Sequence, residues 1–364
     1  MNSNCAIIGC GRIGCILESD PLRNKPCTHF GGALSAGLKF NYACDIDAGR
    51  LSDFAAKASI SKENRFTDYK RLLDSAKFDL VTISVPTASH AEILEACLKN
   101  SVKIIICEKP LTADIQSSKR IIRLSDQKGS IIIVNHERRY DPYYRKAREI
   151  IKSQKLGRLI SIRGSMLTAG SRGNGNPASG GGPLLHDGTH LIDIIRYFAG
   201  DIKSVHSHFK RYGKNTGFED YISLYMKTTD DVPIFAETGG DCGYFCFEVD
   251  IILSGGRIVI GNGYRHLYKT RKSKFYTGFS DLCEIKFPVP KNYTNCFTAL
   301  YKEAAGLLAN PENAAPLSTA IDGYKSLEII NASYLSSHRN KTVSIPVKSF
   351  KPGIKTIFGF DSAN

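Results

Sequence analysis

The sequence predicts an α/β chain: an N-terminal parallel sheet wound with helices, then an α+β domain with a large, mainly antiparallel open sheet. Three observations predict it. Up to about residue 140, short apolar runs alternate with helix-length segments, the order of parallel β-α-β winding. Residues 5–14 read Cys-Ala-Ile-Ile-Gly-Cys-Gly-Arg-Ile-Gly, an apolar strand running straight into Gly9-x-Gly11-x-x-Gly14. From about 203 to 288, apolar and polar residues alternate in strand-length pieces parted by glycine turns, as in an antiparallel sheet with one face covered.

The elements follow in order. The first strand spans 4–9, and residues 11–18 start its helix. Residues 19–36 carry two prolines and a Gly-Gly pair, so they read as a loop interrupting the first crossover. Its Arg23, Lys25, Thr28 and His29 either cover a site or decorate the surface. A second strand, 38–44, ends at Asp45, and a helix covers 47–57. Strand 79–85 leads through Pro86-Thr87-Ala88-Ser89-His90 into a helix to about 99. Strand 102–107, helix 112–128 and strand 130–135 complete the alternation. Asp141 and Pro142 suit the N-cap and first position of a helix to about 154. A strand over 158–168, a Gly/Ser/Asn-rich flexible stretch over 170–183 and a helix over 184–199 come next. Helices over 294–309 and 319–337 close the second domain.

With 364 residues the chain is long enough for two cores. No apolar run approaches the ~20 residues of a membrane span. Strand-like sequence starts near residue 5, so we expect no signal peptide. The eleven cysteines are scattered, with no C-x-x-C, which suits buried reduced thiols in a cytoplasmic protein. The net charge of +14 favours anionic ligands such as a pyrophosphate, a phosphorylated or nucleotide-linked substrate, or a carboxylate. The basic residues are dispersed and form no nucleic-acid-binding motif, so no nucleic-acid partner is expected, and no membrane.

The glycine motif has the context a dinucleotide requires: a strand before it and a helix after it. Gly9 permits a tight turn, Gly11 lets a pyrophosphate approach the backbone, and Gly14 lets helix and strand pack closely. The anion then rests on amides from Arg12 and Ile13. An acidic residue at the end of strand two binds the adenosine ribose. Asp45 is in place, about 31 residues past Gly14 rather than nearer twenty, the loop at 19–36 accounting for the excess. A carboxylate there repels a 2′-phosphate, which favours NAD; Arg50 keeps NADP open. Asp47 competes for the role but suits the start of the next helix.

Lys109 lies at a strand end in Glu108-Lys109-Pro110. Pro110 restricts it to an extended conformation. A partly buried lysine beside a nicotinamide can hold a substrate hydroxyl and stabilise a developing alkoxide; alone, it reads as a surface lysine at a strand end, and the neighbouring motifs turn the reading to function. In Gly180–Asp193, His186 and His190 are four apart and Asp193 three further, so one helical face carries all three. Asp187 also reaches His190. His190 suits a base that takes a hydroxyl proton as hydride leaves carbon. A structural histidine and a His-x-x-x-His metal site are the competing readings; we expect no metal.

These motifs together resemble the glucose–fructose oxidoreductase / inositol dehydrogenase / MocA (Gfo/Idh/MocA) family: Gly9-x-Gly11-x-x-Gly14, Asp45, Pro86-Thr87-x-x-His90, Glu108-Lys109-Pro110 and the glycine-rich helix ending His190-x-x-Asp193. The motifs cover about residues 4–200. The resemblance implies an NAD(P)-binding Rossmann domain over 1–137. Residues 138–364 would form the substrate and oligomerisation domain, giving a homodimer or homotetramer through its sheet. It implies reversible oxidation of a secondary alcohol on a sugar, inositol or nucleotide-sugar. Its catalytic lysine maps to Lys109 and its histidine to His190. Pro86, Thr87, His90 and Glu108 match its nicotinamide-side contacts. The family commonly has an aspartate four residues before the histidine; here His186 stands there, with Asp187 one later. Either Asp187 takes that role or His186 meets substrate directly. Arg138, Arg139 and Tyr140 either hold a substrate anion or tie the domains together. A non-enzymatic dinucleotide sensor and an NAD-retaining glycosidase are the other readings of the same fold.

Overall fold

A computed structural model of the chain describes residues 3–169, 182–212, 218–291, 293–310, 315–351 and 357–358. Its strands and helices, in order, begin with β1 (Cys5–Ile8), α1 (His29–Ser35), β2 (Tyr42–Cys44), α2 (Ala48–Ala58) and β3 (Arg65–Phe66). They continue through α3 (Tyr69–Ser75), β4 (Leu80–Ile83), α4 (His90–Lys99), β5 (Ile104–Cys107), α5 (Ile115–Lys128) and β6 (Ile131–Val134). Next come α6 (Pro142–Ser153), β7 (Leu159–Leu167), α7 (Pro183–His186) and α8 (Gly188–Ala199). Seven strands follow: β8 (Ile202–Lys210), β9 (Tyr221–Thr228), β10 (Pro233–Gly239), β11 (Cys246–Leu253), β12 (Gly256–Gly261), β13 (Arg265–Lys272) and β14 (Ser280–Ile285). The helices α9 (Cys296–Ala309) and α10 (Ala320–Arg339) and strand β15 (Val343–Ser344) end the series.

Two compact units result. One is Met1–Pro142 with Asn292–Tyr324; the other is Tyr143–Lys291 with Lys325–Asn364. The first unit holds a six-stranded parallel sheet in the order β3-β2-β1-β4-β5-β6. Its central strands are apolar on both faces, as burial between two helical layers demands. Ile7, Leu80, Ile104 and Ile133 pack to one side, and Ala6, Val81, Ile105 and Ile132 to the other. The register aligns the strand ends: Ile8 is level with Cys44 and Ile83, Ile83 with Cys107, and Cys107 with Val134. The residues that follow these strands therefore line one edge, the edge where ligands of such sheets bind.

Besides β3 and α3, which fall where no element was expected, two features of this unit differ from the sequence reading. The first crossover forms only a 3-10 turn, Ile16–Ser19, and its helix α1 lies inside the stretch expected to be loop. Thr28 caps α1, its hydroxyl accepting from the Gly31 amide at 3.1 Å. The Gly31-Gly32 pair permits close packing rather than a turn. A Cβ at Gly31 would stand 2.5 Å from the Glu18 carboxylate, and one at Gly32 would stand 2.7 Å from Phe297. Secondly, residues 292–324, expected in the second domain, belong to this unit. Leu300, Tyr301, Ala304 and Leu307 of α9 are buried against Ile7, Phe40 and Leu80. That apolar stripe covers the sheet face that α1, at two turns, is too short to cover alone.

The second unit holds a nine-stranded sheet, β14-β13-β12-β11-β7-β10-β9-β8-β15. The pair β7–β10 is parallel and the other pairs are antiparallel. Alternate residues, among them Ile222, Leu224, Met226, Val249 and Ile251, are buried on one face. Helix α8 packs there closely enough that a Cβ at Gly164 would meet Leu191 at 2.9 Å and Ile195 at 3.1 Å. The expected single helix over 184–199 is broken at Asp187 into α7 and α8. The Gly/Ser/Asn-rich stretch lies outside the described residues up to position 181.

All eleven cysteines are free. Burial pushes the thiols of Cys5, Cys44, Cys97 and Cys107 up, leaving them uncharged and inert. Among the described residues no helix is long and apolar enough to cross a membrane. Nor does any group of three or more His, Cys, Asp or Glu among them have an arrangement that could hold a metal ion.

Candidate active site

The first unit gathers most of the expected residues along the carboxyl edge of its sheet. Gly9 leaves β1 with φ +100°, a conformation that disfavours side chains. A Cβ there would fall 2.4 Å from the Ser84 carbonyl oxygen. Two bonds fix the turn: the Gly9 amide donates to Cys44 O at 2.8 Å, and the Ser84 hydroxyl donates to Gly9 O at 2.7 Å. Gly14 closes the loop, its own Cβ position lying 2.4 Å from Gly9 O. At Gly11 the reverse holds: nothing stands within 4 Å of where a Cβ would be. Arg12 is exposed and Ile13 half-buried beside this open space.

Asp45 ends β2 and is buried. Its Oδ2 accepts from the Cys10 amide at 2.8 Å, tying it to the glycine loop, and its Oδ1 accepts from the Asp47 amide at 2.9 Å. Arg50 approaches the same carboxylate from α2, Nη2 to Oδ1 at 3.1 Å. Asp47 is the N-cap of α2, accepting from the Arg50 amide; it starts the helix, as its sequence position suggests.

Glu108 is the most constrained group of this edge. Its Oε1 accepts from Asn135 Nδ2 at 2.7 Å and faces His29 Nε2 at 3.0 Å. Its Oε2 accepts from the Lys109 amide at 3.2 Å. Burial alone would raise its pKa, but the hydrogen bonds from His29 and Asn135 and the charges of His29 and Lys109 hold it down, at about 2. An ionised carboxylate only accepts, so His29 Nε2 carries a proton. The other ring nitrogen of His29 meets the Tyr301 hydroxyl at 3.0 Å, and that hydroxyl meets Thr82 Oγ1 at 2.8 Å. Lys109, half-buried, follows directly at the end of β5; its peptide bond to Pro110 is cis.

Other expected residues have different surroundings. Pro86 is exposed and Thr87 half-buried, leading a 3-10 turn into α4. His90 is fully buried, with Nδ1 2.8 Å from Pro110 O and Nε2 2.9 Å from Val85 O. Its ring ties two strand-end loops together instead of lining a ligand surface, and burial lowers its pKa against those two carbonyls. Arg139 and Tyr140 are buried too. Arg139 donates to Leu317 O at 2.9 Å and pairs with Asp322 at 3.0 Å; the Tyr140 hydroxyl donates to Glu303 at 2.6 Å. These bonds bind residues 292–324 to the end of β6. They are contacts within the first unit. Arg138 is half-buried and pairs with Glu137 at 3.2 Å.

In the second unit, His186 is exposed and Nδ1 pairs with Asp187 Oδ1 at 3.0 Å. His190 lies half-buried in the first turn of α8, its amide donating to Asp187 O at 3.1 Å. Asp193, three residues on in α8, is more deeply buried than His190. It is 1% exposed and faces inward, accepting from Ser326 Oγ at 3.5 Å.

Sequence reasoning missed Asn135, Tyr301 and Glu219. Asn135 is the residue after β6, and its position at a parallel strand end was the available signal. Its Oδ1 is buried without a hydrogen-bond partner among the described residues.

Comparison with known proteins bears on this geometry. Residues 3–136 match the model of an oxidoreductase family with an NAD-binding Rossmann fold, and residues 144–259 match a GFO/IDH/MocA C-terminal domain. The chain is 27% identical to an inositol 2-dehydrogenase from Saccharopolyspora erythraea, over 95% of this chain and 96% of that protein. It is 25% identical to an NAD(+) scyllo-inositol 2-dehydrogenase from Bacillus subtilis, over 96% and 98%. A levoglucosan dehydrogenase solved with NADH shares the fold at TM-score 0.78 and 18% identity, over 95% of this chain and all of that one. The WlbA dehydrogenase from Bordetella pertussis, solved with NADH and UDP-GlcNAcA, shares it at TM-score 0.74 and 16% identity, over 95% and 100%.

Proposed function

This chain belongs to the GFO/IDH/MocA family of NAD-binding oxidoreductases, and from that premise we propose that it interconverts a secondary alcohol and a ketone on a polyol or sugar. One observation carries the reading: the Gly9 turn, Asp45 and Glu108–Lys109 leave neighbouring strands at one level of the sheet. NAD fits that row. The space beside Gly11 is open, the Asp45 carboxylate stands at the end of β2, and Asn135 Oδ1 is a buried acceptor without a donor among the described residues. Bound there, NAD supplies the hydride acceptor or donor.

The chain's own residues do the rest. Amides from Gly11 to Ile13 hold the pyrophosphate, and Asp45 accepts from ribose hydroxyls. Lys109, its backbone fixed by Glu108, hydrogen-bonds the substrate hydroxyl and stabilises the oxygen as negative charge grows on it. His190 takes the hydroxyl proton; an imidazole suits transfer near neutral pH. His186, paired with Asp187, meets further substrate hydroxyls. The names of the inositol and levoglucosan relatives support a polyol or sugar. The net charge of +14 supports an anionic form such as a nucleotide-sugar.

The reading includes a homodimer or homotetramer formed through the uncovered face of the nine-stranded sheet. Tyr225 and Phe235, cross-strand partners there, are 37% and 48% exposed with ring centroids 5.2 Å apart. Buried, uncharged thiols support a cytoplasmic location.

The test is binding of NADH and NADPH to the purified chain, then turnover of a panel of inositols, levoglucosan and nucleotide-sugars followed by nicotinamide absorbance. Tight NADH binding with turnover of one panel member is expected. Binding with no turnover of any member would sink the enzymatic reading.

A further inference from the structure

Glu219 lies just before β9 and is 2% exposed. Its Oε1 accepts from the Leu184 amide at 2.9 Å and from the Tyr334 hydroxyl at 3.0 Å. Its Oε2 is buried with no hydrogen-bond partner among the described residues. Gly182 lies directly against it: a Cβ there would stand 2.2 Å from Oε2. The carboxyl is thus wedged under the residues that start α7, four residues before the first histidine of the proposed catalytic helix.

The surroundings are aromatic. Tyr334 of α10 meets Phe358 edge-on at 4.9 Å, and Phe358 also contacts Phe209 and Phe218 at 5.4 and 5.0 Å. The Arg211 guanidinium lies 5.0 Å above Phe358. Tyr334 from α10 and Arg211 after β8 are the titratable and charged groups acting on Glu219; α7 presents it with a backbone amide. Burial pushes the Glu219 carboxyl up, to about 7, against the pull of the Leu184 amide, Tyr334 and Arg211. Ionisation would place charge on an oxygen with no donor among the described residues, a costly state in a low-dielectric setting.

We propose that Glu219 is a positioning residue for the reaction: its carboxyl fixes the start of α7 and thereby sets where His186, Asp187 and His190 stand. The inference rests on the dehydrogenase reading for its chemistry but not for its geometry. The sign of its pH dependence follows from the raised value. The native state holds this proton more tightly than the unfolded chain, so the stability it contributes is complete below about 4.5 and is lost as pH rises through about 7.

The experiment uses the full chain with Glu219→Gln, Glu219→Ala and Glu219→Asp. Imidazole signals of His186 and His190 are read by nitrogen-15 NMR without substrate at about pH 6 and about pH 8, either side of the raised value. Glutamine still accepts from the Leu184 amide and cannot ionise. Its signals should coincide with wild type at the lower pH and depart from wild type at the higher, where only the wild-type carboxyl ionises. Its melting temperature should gain on wild type as pH rises. Alanine should displace the signals at both pH values and lower kcat at least about tenfold, with NADH affinity unchanged. Aspartate, one methylene too short for Leu184, should do the same and decides the matter if the alanine variant fails to fold. Unmoved signals and unchanged kcat in a folded Ala or Asp variant would overturn the proposal. A wild type without turnover whose imidazoles still respond to Glu219→Ala would instead refute the dehydrogenase reading and leave the positioning intact.

Discussion

His29 and Glu108 are 79 residues apart in sequence and 3.0 Å apart in space. The histidine arrives from a helix that interrupts the first crossover; the glutamate ends β5 beside Lys109. Both are buried, and the pair sits in a short chain of polar contacts that Asn135 joins on one side and Tyr301 on the other.

Removing His29 should therefore cost far more than a surface ion pair. His29→Ala leaves a buried carboxylate short of a donor, and about 3 kcal/mol of stability should be lost near neutral pH, read by urea unfolding. The cost should shrink in acid. Glu108 has a native pKa below its unfolded one, so its contribution is present above about 4.5 and disappears as pH falls toward about 2. A penalty that is the same at acid and neutral pH would contradict the pairing.

Gly9 and Gly11 should separate under one substitution. Gly9→Ala meets the Ser84 carbonyl and a positive φ, so the protein should melt several degrees lower or fail to fold. Gly11→Ala has space for its methyl and should melt like wild type. It should nevertheless bind NADH at least about tenfold more weakly, because the methyl occupies the side from which pyrophosphate approaches. Fluorescence titration with NADH beside thermal melts tests both.

Asp45→Ser should move cofactor preference toward NADPH, roughly tenfold in relative affinity, the scale of one charge-assisted hydrogen bond. Arg50, then relieved of its 3.1 Å partner, is placed to take a 2′-phosphate. Adding Arg50→Ala should cancel the gain. Parallel NADH and NADPH titrations measure it, and an unchanged ratio would remove Asp45 from the ribose site.

Lys109→Ala and His190→Ala should each lower kcat by roughly 10²–10⁴-fold with NADH affinity near wild type, the signature of a lost proton-transfer partner. His90→Ala should instead lower the melting temperature, since both its ring nitrogens face backbone carbonyls.

Five strands of the first sheet were legible because each is an apolar run short enough to be bounded by its neighbours, and because Gly9, Asp45 and Lys109 sit at strand ends; β3, only Arg65 and Phe66, has no such run. Helix α1 was not. Gly31 and Gly32 signal a turn in sequence, whereas here they admit Glu18 and Phe297 to close contact. Helix α9 was recognised but placed with the second domain, whereas it packs in the first unit: an amphipathic stripe says that something is covered, not what. The alternation of β9 hid Glu219, whose partners Leu184 and Tyr334 come from segments 35 and 115 residues away. His186 and His190 were found, but the break at Asp187 that puts them on separate helices carries no sequence signal.

The placement of α9 also orders events during synthesis. A ribosome emits all six strands of the nucleotide-binding sheet by Val134, yet Tyr301 and Leu300, which cover one face of it, emerge only after β7 to β14 of the second sheet. Ile7, Phe40 and Leu80 wait uncovered in the interval, exposed to chaperones and to neighbouring nascent chains. The unit begun first is thus finished late, and a fragment cut after residue 142 lacks the helix that seals it.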